Sequence, residues 1–381
     1  MKRKFLIITT IPLSLGFFVG QIQFLKDEFD VEVASSPGEK LNTICEKEQV
    51  VGHSIAMQRN ISVLKDLVSL IKLVFLCLKV KPHILHGSTP KAGLLSMVAG
   101  WITSVPIRVY YVHGLRYQGA FGFKRKLLML MERMSCFFAT QIIAVSKGVQ
   151  DILLRDEITT KQVHIICNGS VNGIDLQFFD VNNLTIPKAN DIPSATNSSF
   201  VFGYVGRLVK DKGIHELIKA FVAINKKFPH TKLLLLGDFE DTLDPIDVHV
   251  KDEIYLNDAI ISVGFKSDIR PYLKNMNVFV LPSYREGFGV ALMEAAAMSV
   301  PAITTNIIGC NEIIKDNFNG KLIAPKSEEQ LYDAMLHYVL NPNLLQKHSN
   351  EARKFVAEKY NQQMVWHETL KFYKSLSSSN K

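Results

Sequence analysis

Arg207 and Lys212 set a forked cation and a point-like one five residues apart, and Glu286 and Glu294 set two carboxylates eight residues apart. Each pair lies in a glycine-containing segment between a short apolar run and a longer one. An arginine with several donors beside a lysine suits a diphosphate, and nearby glycines let backbone N–H groups approach it. Carboxylates repel phosphate, so two of them flanking such an anion address neutral hydroxyls, one suiting a sugar and the other a ribose. Taken singly, the first segment also reads as a solvated basic loop and the glutamates as ordinary helix-start and surface charges. Their joint occurrence favours a nucleotide-sugar site.

The elements that must position these groups are two strand–turn–helix units. Gly203 to Ile214 leaves a strand expected at 200–205 and enters an amphipathic helix expected at 215–225. A helix N-terminus already carries about half a positive charge, so Arg207, Lys210 and Lys212 gather there at a cost unless an anion binds. Leu281 to Glu294 repeats the order, with Gly287 and Gly289 freeing backbone donors where the second helix starts.

Short apolar runs alternate with helical periods along both halves, the pattern of parallel sheets covered by helices. Strands are expected at 5–9, 84–85, 108–112, 142–145 and 163–166, and again at 200–205, 233–236, 260–263, 278–281, 302–304 and 321–323. The fold class is therefore α/β, with an N-terminal domain at 1–180, a linker at 181–199 rich in Asn, Ser, Thr and Pro, and a second domain at 200–355. A helix within 356–381 is expected to cross back to the first domain. A ligand cleft is expected between the sheets, at the carboxyl ends of their strands.

Composition excludes several classes. Five scattered cysteines without a Cys-x-x-Cys pair point to a reducing compartment, with neither a disulfide framework nor a zinc site. Lys2-Arg3-Lys4 followed by the apolar run 5–19 imitates a signal peptide, but Pro12 and Ser14 interrupt the run and a buried strand accounts for it better. No run reaches the ~20 apolar residues that span a bilayer. Residues 1–180 carry 21 Lys/Arg against 14 Asp/Glu, and thus seven of the eight net charges, so the first half is expected to meet something anionic. No zinc-finger spacing or RNA-binding aromatic motif supports nucleic acid as that partner. A dinucleotide oxidoreductase is disfavoured because Gly-x-Gly-x-x-Gly does not follow the first strand.

The glutamate pair, together with Gly206-Arg207-Leu208 and Lys212-Gly213, resembles the retaining family 4 glycosyltransferases of the GT-B fold, which has two Rossmann-like domains facing across a cleft. The likeness covers nearly the whole chain. Thr89 to Leu95, His113 to Tyr117 and Gly169 to Asp175 further resemble the bacterial branch that includes the alpha-1,3-N-acetylgalactosaminyltransferase acting on diacetylbacillosaminyl-diphosphoundecaprenol. The resemblance implies that Arg207 and Lys212 hold the donor diphosphate, Glu294 the ribose and Glu286 the donor sugar, assisted by the backbone of Gly287 and Phe288. It also implies that His113 faces the sugar from the first domain and that the loop at Gly16 lies near donor or acceptor, although that loop lacks the family's paired glycines. Asn311 stands where the related branch often carries arginine.

The activity implied is metal-independent, cofactor-free transfer of an N-acetylhexosamine or hexose from a UDP-sugar to a lipid-linked sugar. The leaving phosphate oxygen would take the acceptor proton on the same face. No Asp-x-Asp motif for a divalent ion is present, and 238–247 reads as an acidic surface loop. Lys91, Arg116, Lys124 and Arg125 are the acceptor candidates. The basic, apolar stretch 121–133 reads either as a helix resting on an anionic bilayer or as one whose Leu and Met residues fill the core. The expected location is the cytoplasmic face of the plasma membrane, as a peripheral protein in surface-polysaccharide assembly. Two rivals share the grip: a nucleotide-sugar epimerase or hydrolase, and a noncatalytic sugar-nucleotide sensor.

Overall fold

Apolar runs too short for helices become strands, and the longer periodic segments between them fold back as covering helices. A computed structural model describes residues 2–378 except 184, 188, 190, 191, 193–198, 242 and 243, so much of the expected linker lies outside the described residues. The chain forms two units, Met1–Gly173 with Gln362–Lys381, and Ile174–Asn361. The divisions thus fall before the expected boundary at 180 and after the one at 355. Ile174 N–H donates to the Tyr360 carbonyl at 2.7 Å, and Ile174 bridges Asn361, which ties both ends of the second unit together.

The first unit holds strands β1 (Arg3–Ile8), β2 (Phe29–Ser35), β3 (Val51–Ser54), β4 (Ile84–Ser88), β5 (Ile107–Val112), β6 (Gln141–Ala144) and β7 (Val163–His164). They form one sheet in the order β3-β2-β1-β4-β5-β6-β7, with every pair parallel. Central β1 buries Phe5, Leu6, Ile7 and Ile8 completely or nearly so, as a strand covered on both faces requires. The run 5–19 is accordingly a strand followed by the short helix Pro12–Leu15 and a 3₁₀ turn at Gly16–Phe18.

Neither β2 nor β3 is among the expected strands. Acids interrupt the apolar pattern of β2, yet Glu32 is buried there, with Lys4 Nζ at 3.1 Å and His53 Nε2 at 2.6 Å. These hydrogen-bonding partners come from β1 and β3, and no local pattern reveals them.

Helix Gln362–Ser378 completes the first unit. Tyr373 is buried against Phe5, its hydroxyl 2.9 Å from His86 Nδ1, and Trp366 Nε1 donates to Asn172 Oδ1 at 2.6 Å. Gly20, at φ +79°, leaves room for the Trp366 ring, which a Cβ there would meet at 2.7 Å.

The second unit holds β8 (Phe200–Val205), β9 (Thr231–Leu236), β10 (Ile260–Ser262), β11 (Val278–Leu281), β12 (Ala302–Thr305) and β13 (Gly320–Ile323), ordered β10-β9-β8-β11-β12-β13 and parallel throughout. The direction of strand order reverses between β8 and β11. In open parallel sheets ligands bind beyond the carboxyl ends of the strands at such a point. The loops that occupy it are 206–213 and 282–289.

Candidate active site

Three constraints position the two loops of the second unit. Gly213, at φ +70°, caps helix Ile214–Lys227, and a Cβ there would stand 2.2 Å from the Pro282 carbonyl oxygen, so the approach needs glycine. Tyr284 N–H donates to the Asp211 carbonyl at 2.8 Å, and Arg285 Nε to the Asp211 carboxylate at 2.7 Å. The third constraint is Gly309, whose carbonyl accepts the Gly289 N–H at 2.9 Å. It sits at φ +74°, where an added Cβ would lie 2.7 Å from the backbone of Gly287.

Lys212 Nζ then reaches Glu286 Oε1 at 2.5 Å, and Ser283 Oγ donates to the same carboxylate oxygen at 2.9 Å. Both partners are largely shielded, with side-chain exposures of 19% and 13%. Lys212 closes a 3₁₀ turn at Lys210–Lys212, just before its helix. Glu294 lies within helix Val290–Ala297 and keeps some solvent access, yet protein encloses it on nearly every side, and that desolvation pushes its carboxyl up to about 7. Arg207 is more than half exposed and pairs with Glu240, a residue the motif spacing does not reveal. Both cations of the sequence motif thus already hold a carboxylate partner, Arg207 with Glu240 and Lys212 with Glu286.

Phe288 is buried and packs edge-on against Tyr360, which leaves its backbone as the part available to a ligand. Asn311 turns to Asn306, donating to Oδ1 at 3.0 Å. Among the described residues no group of three or more His, Cys, Asp or Glu could hold a metal ion.

Gly309→Ala is expected to displace the Gly287–Gly289 turn, because a left-handed alanine is strained and its Cβ meets backbone that cannot rotate away. The expected readout is UDP affinity weakened about tenfold or more, with a loss of ~1–3 kcal/mol in stability, by calorimetry and thermal unfolding.

In the first unit His113 follows β5, and its Nε2 lies 2.9 Å from Ser88 Oγ at the end of β4. Ser88 Oγ lies 3.2 Å from His86 Nε2, and His86 Nδ1 meets Tyr373 of the last helix. Burial lowers both imidazoles, to about 4 for His113 and about 3 for His86, so both are neutral at pH 7. The turn at Gly16 lies against this group: Phe17 stacks on His113 at 5.4 Å between centroids, and Phe18 meets it edge-on at 6.2 Å. Gly16 itself has helical φ, and nothing lies within 4 Å of a Cβ placed there, so sterics do not demand glycine.

The acceptor candidates separate. Lys91 is buried, with its ammonium given to Asp66 at 2.6 Å and to the Asn60 carbonyl at 2.5 Å, which makes it a structural cation. Arg116 donates to the Arg59 carbonyl at 3.2 Å, Arg125 sits over the Tyr117 ring at 5.9 Å, and Lys124 is exposed. Lys91 and Arg116 line one small cavity with Tyr117, over whose ring Arg125 sits, whereas Lys124 is not among the residues that line it.

Two family models match the chain: Glycosyltransferase Family 4 over residues 23–171 and Glycosyl transferases group 1 over 187–355. The chain is 37% identical to the capsular polysaccharide biosynthesis glycosyltransferase CapM of Staphylococcus aureus, over 98% of its own length and 97% of the relative's. It is 29% identical to the UDP-Gal:alpha-D-GlcNAc-diphosphoundecaprenol alpha-1,3-galactosyltransferase of Escherichia coli, over 80% and 78% of the two chains. Among solved structures, Anabaena HepE in complex with UDP-glucose matches with a TM-score of 0.80 at 18% identity, covering 98% of this chain and 99% of that one. Sucrose-phosphate synthase from Thermosynechococcus elongatus matches with a TM-score of 0.77 at 20% identity, covering both chains fully. At those identities the likeness establishes a shared fold, two Rossmann-like domains of the GT-B type.

Proposed function

The chain belongs to the family 4 glycosyltransferases, and from that premise we propose that it transfers a sugar from a UDP-sugar, with retained anomeric configuration, to a diphosphoundecaprenol-linked sugar during capsular or related polysaccharide assembly. The observation that carries this reading is the shielded Lys212–Glu286 pair bracketed by helix starts, with Glu294 enclosed in the helix that follows the Glu286 turn. Lys212 and Arg207 supply fixed cations where charge grows on the departing diphosphate, and the backbone N–H groups of Gly287 and Phe288 add donors. Glu286 takes a hydroxyl of the donor sugar and Glu294 the ribose. Because Glu286 is occupied with a hydroxyl, it does not attack the anomeric carbon; the leaving phosphate oxygen receives the acceptor proton on the same face. The HepE complex with UDP-glucose supports a UDP-sugar donor, and the Escherichia coli relative supports a lipid-diphosphate acceptor.

The test is UDP release from a panel of UDP-sugars, with and without an undecaprenyl-diphosphate-linked sugar, for the wild type and for Glu286→Gln. Acceptor-dependent release that falls at least tenfold in the variant supports the reading. Equal release without acceptor identifies a hydrolase, isomerised sugar an epimerase, and binding without turnover a sensor. NMR of the product's anomeric proton reports the stereochemistry.

Glu294 adds a pH dependence. Its carboxyl is raised by burial from 4.5 to about 7, so the stability tied to its neutral form is complete below pH 4.5 and is lost as pH rises through 7. Donor affinity has the opposite sign, because the ionised carboxylate accepts two hydroxyl hydrogen bonds. UDP binding is expected to tighten between pH 5.5 and 8, and Glu294→Gln to flatten that rise, as followed by calorimetric titration.

A further inference from the structure

Helix Val63–Val80 buries Ser69, Leu73, Leu76, Cys77 and Val80 and packs against helix Pro90–Ile102. Its opposite side is also apolar: Leu64, Leu67, Val68, Ile71, Phe75 and Leu78 are all exposed, Leu64 at 79% and Phe75 at 66%. Their spacing of three and four residues draws one stripe, ~21 Å long at ~1.5 Å per residue. Lys65, Lys72 and Lys79 are exposed along one edge of it, each seven residues from the next.

Helix Gly122–Phe138, on the other flank of helix Pro90–Ile102, repeats the arrangement. Phe123, Leu130, Met134 and Phe137 are exposed with the same offsets of 7, 11 and 14 residues that separate Leu64 from Ile71, Phe75 and Leu78. Lys126 stands on the edge, exposed, as do Lys124 and the 87%-exposed Phe121 at the helix start. The helix between them ends by exposing Trp101 and Ile102. Leu127, Leu128, Met129 and Met131 are half-buried rather than part of the core.

An isolated exposed leucine is ordinary, but a contiguous apolar face bordered by cations is an interaction surface. Charge selects the partner. The acids of these two helices are turned away: Asp66 pairs with Lys91, and Glu132 is buried, accepting the Tyr110 hydroxyl at 2.5 Å. A second copy of this face would therefore bring lysines and no carboxylate from these helices, whereas phospholipid supplies the anions. We propose that the outer faces of helices Val63–Val80 and Gly122–Phe138 lay the first unit on an anionic bilayer, with the apolar stripes in the headgroup–acyl boundary and the lysines at the phosphates. The inference deepens the proposed function by supplying the surface where a lipid-linked acceptor resides, and its test does not depend on turnover.

The full chain is floated with vesicles of phosphatidylcholine alone and of phosphatidylcholine with phosphatidylglycerol. Wild type is expected to float with the anionic vesicles, and Ile71→Glu with Phe75→Glu to reduce the bound fraction about tenfold. Lys65→Glu with Lys72→Glu and Lys79→Glu is expected to abolish the preference for phosphatidylglycerol. UDP binding and thermal unfolding, which these exposed positions should leave unchanged, certify the fold of each variant. Wild type that floats with neither vesicle, or variants that float as well as wild type, would overturn the proposal. So would a wild-type dimer in sedimentation equilibrium that Ile71→Glu with Phe75→Glu splits. Loss of flotation with acceptor-dependent activity retained on a short-chain acceptor separates this inference from the activity itself.

Discussion

Lys212→Ala should lower acceptor-dependent turnover by roughly 10²–10³-fold, the effect of deleting one preorganised group that faces developing negative charge. The ammonium is held by Glu286, so it is oriented before the donor arrives. The loss should appear in kcat more than in donor KM, because the charge it meets grows as the diphosphate departs. Glu286 keeps its hydrogen bond from Ser283 in the variant, so thermal stability should change far less than activity. Combining Lys212→Ala with Glu286→Gln should cost less than the two single losses added, since each substitution already breaks the shared ion pair. Steady-state UDP release from all three variants measures this, and a Lys212→Ala enzyme within a few-fold of wild type would remove Lys212 from the reaction.

His113→Ala is expected to reduce kcat about tenfold to a hundredfold with a smaller change in KM. The role proposed for it gives the ring nitrogen not engaged by Ser88 to the donor sugar, and burial keeps the ring uncharged. In that proposed role the group is a neutral hydrogen-bonding partner rather than a cation or titrating acid. The kcat profile should show no histidine limb near pH 6.5, in contrast to an exposed general acid. Tyr373→Phe, which removes the hydroxyl at the far end of the His86–Ser88–His113 chain, should lower kcat by only a few-fold and leave UDP affinity unchanged. A limb near pH 6.5 that vanishes in His113→Ala would mean that the ring titrates in the working enzyme.

The parts of this molecule legible in the sequence are those that local pattern dictates. Strands β8 and β11 coincide with the expected 200–205 and 278–281 because they are apolar runs closed by glycine or proline turns. The two strand–turn–helix units are legible too, but the motif assigns Lys212 and Glu286 separate partners, and their ion pair with each other is seen only in the fold. What escapes is what depends on distant partners. Strand β2 hides behind acids, and the groups that bond Glu32 lie on other strands; Glu240 likewise faces Arg207 from a loop 33 residues away. Gly309 lies near an obvious departure from the family pattern, yet its contact with Gly287 is a tertiary fact. Lys91 shows the converse, since its charge suggested a ligand and its fold position gives that charge to Asp66.

The Trp366–Asn172 and Tyr373–His86 contacts carry a consequence for how the chain is made. The first unit takes its closing helix from residues that a ribosome adds only after the whole of Ile174–Asn361. At ~5–20 residues per second, roughly ten to forty seconds separate the two portions during synthesis. Over that interval β1 and β4 are complete while Phe5 and His86 still lack the ring that covers them. The second unit, contiguous in the chain, has no such wait. The later-made half is thus free to finish first, and the earlier-made half is the one that presents a nascent apolar surface to chaperones.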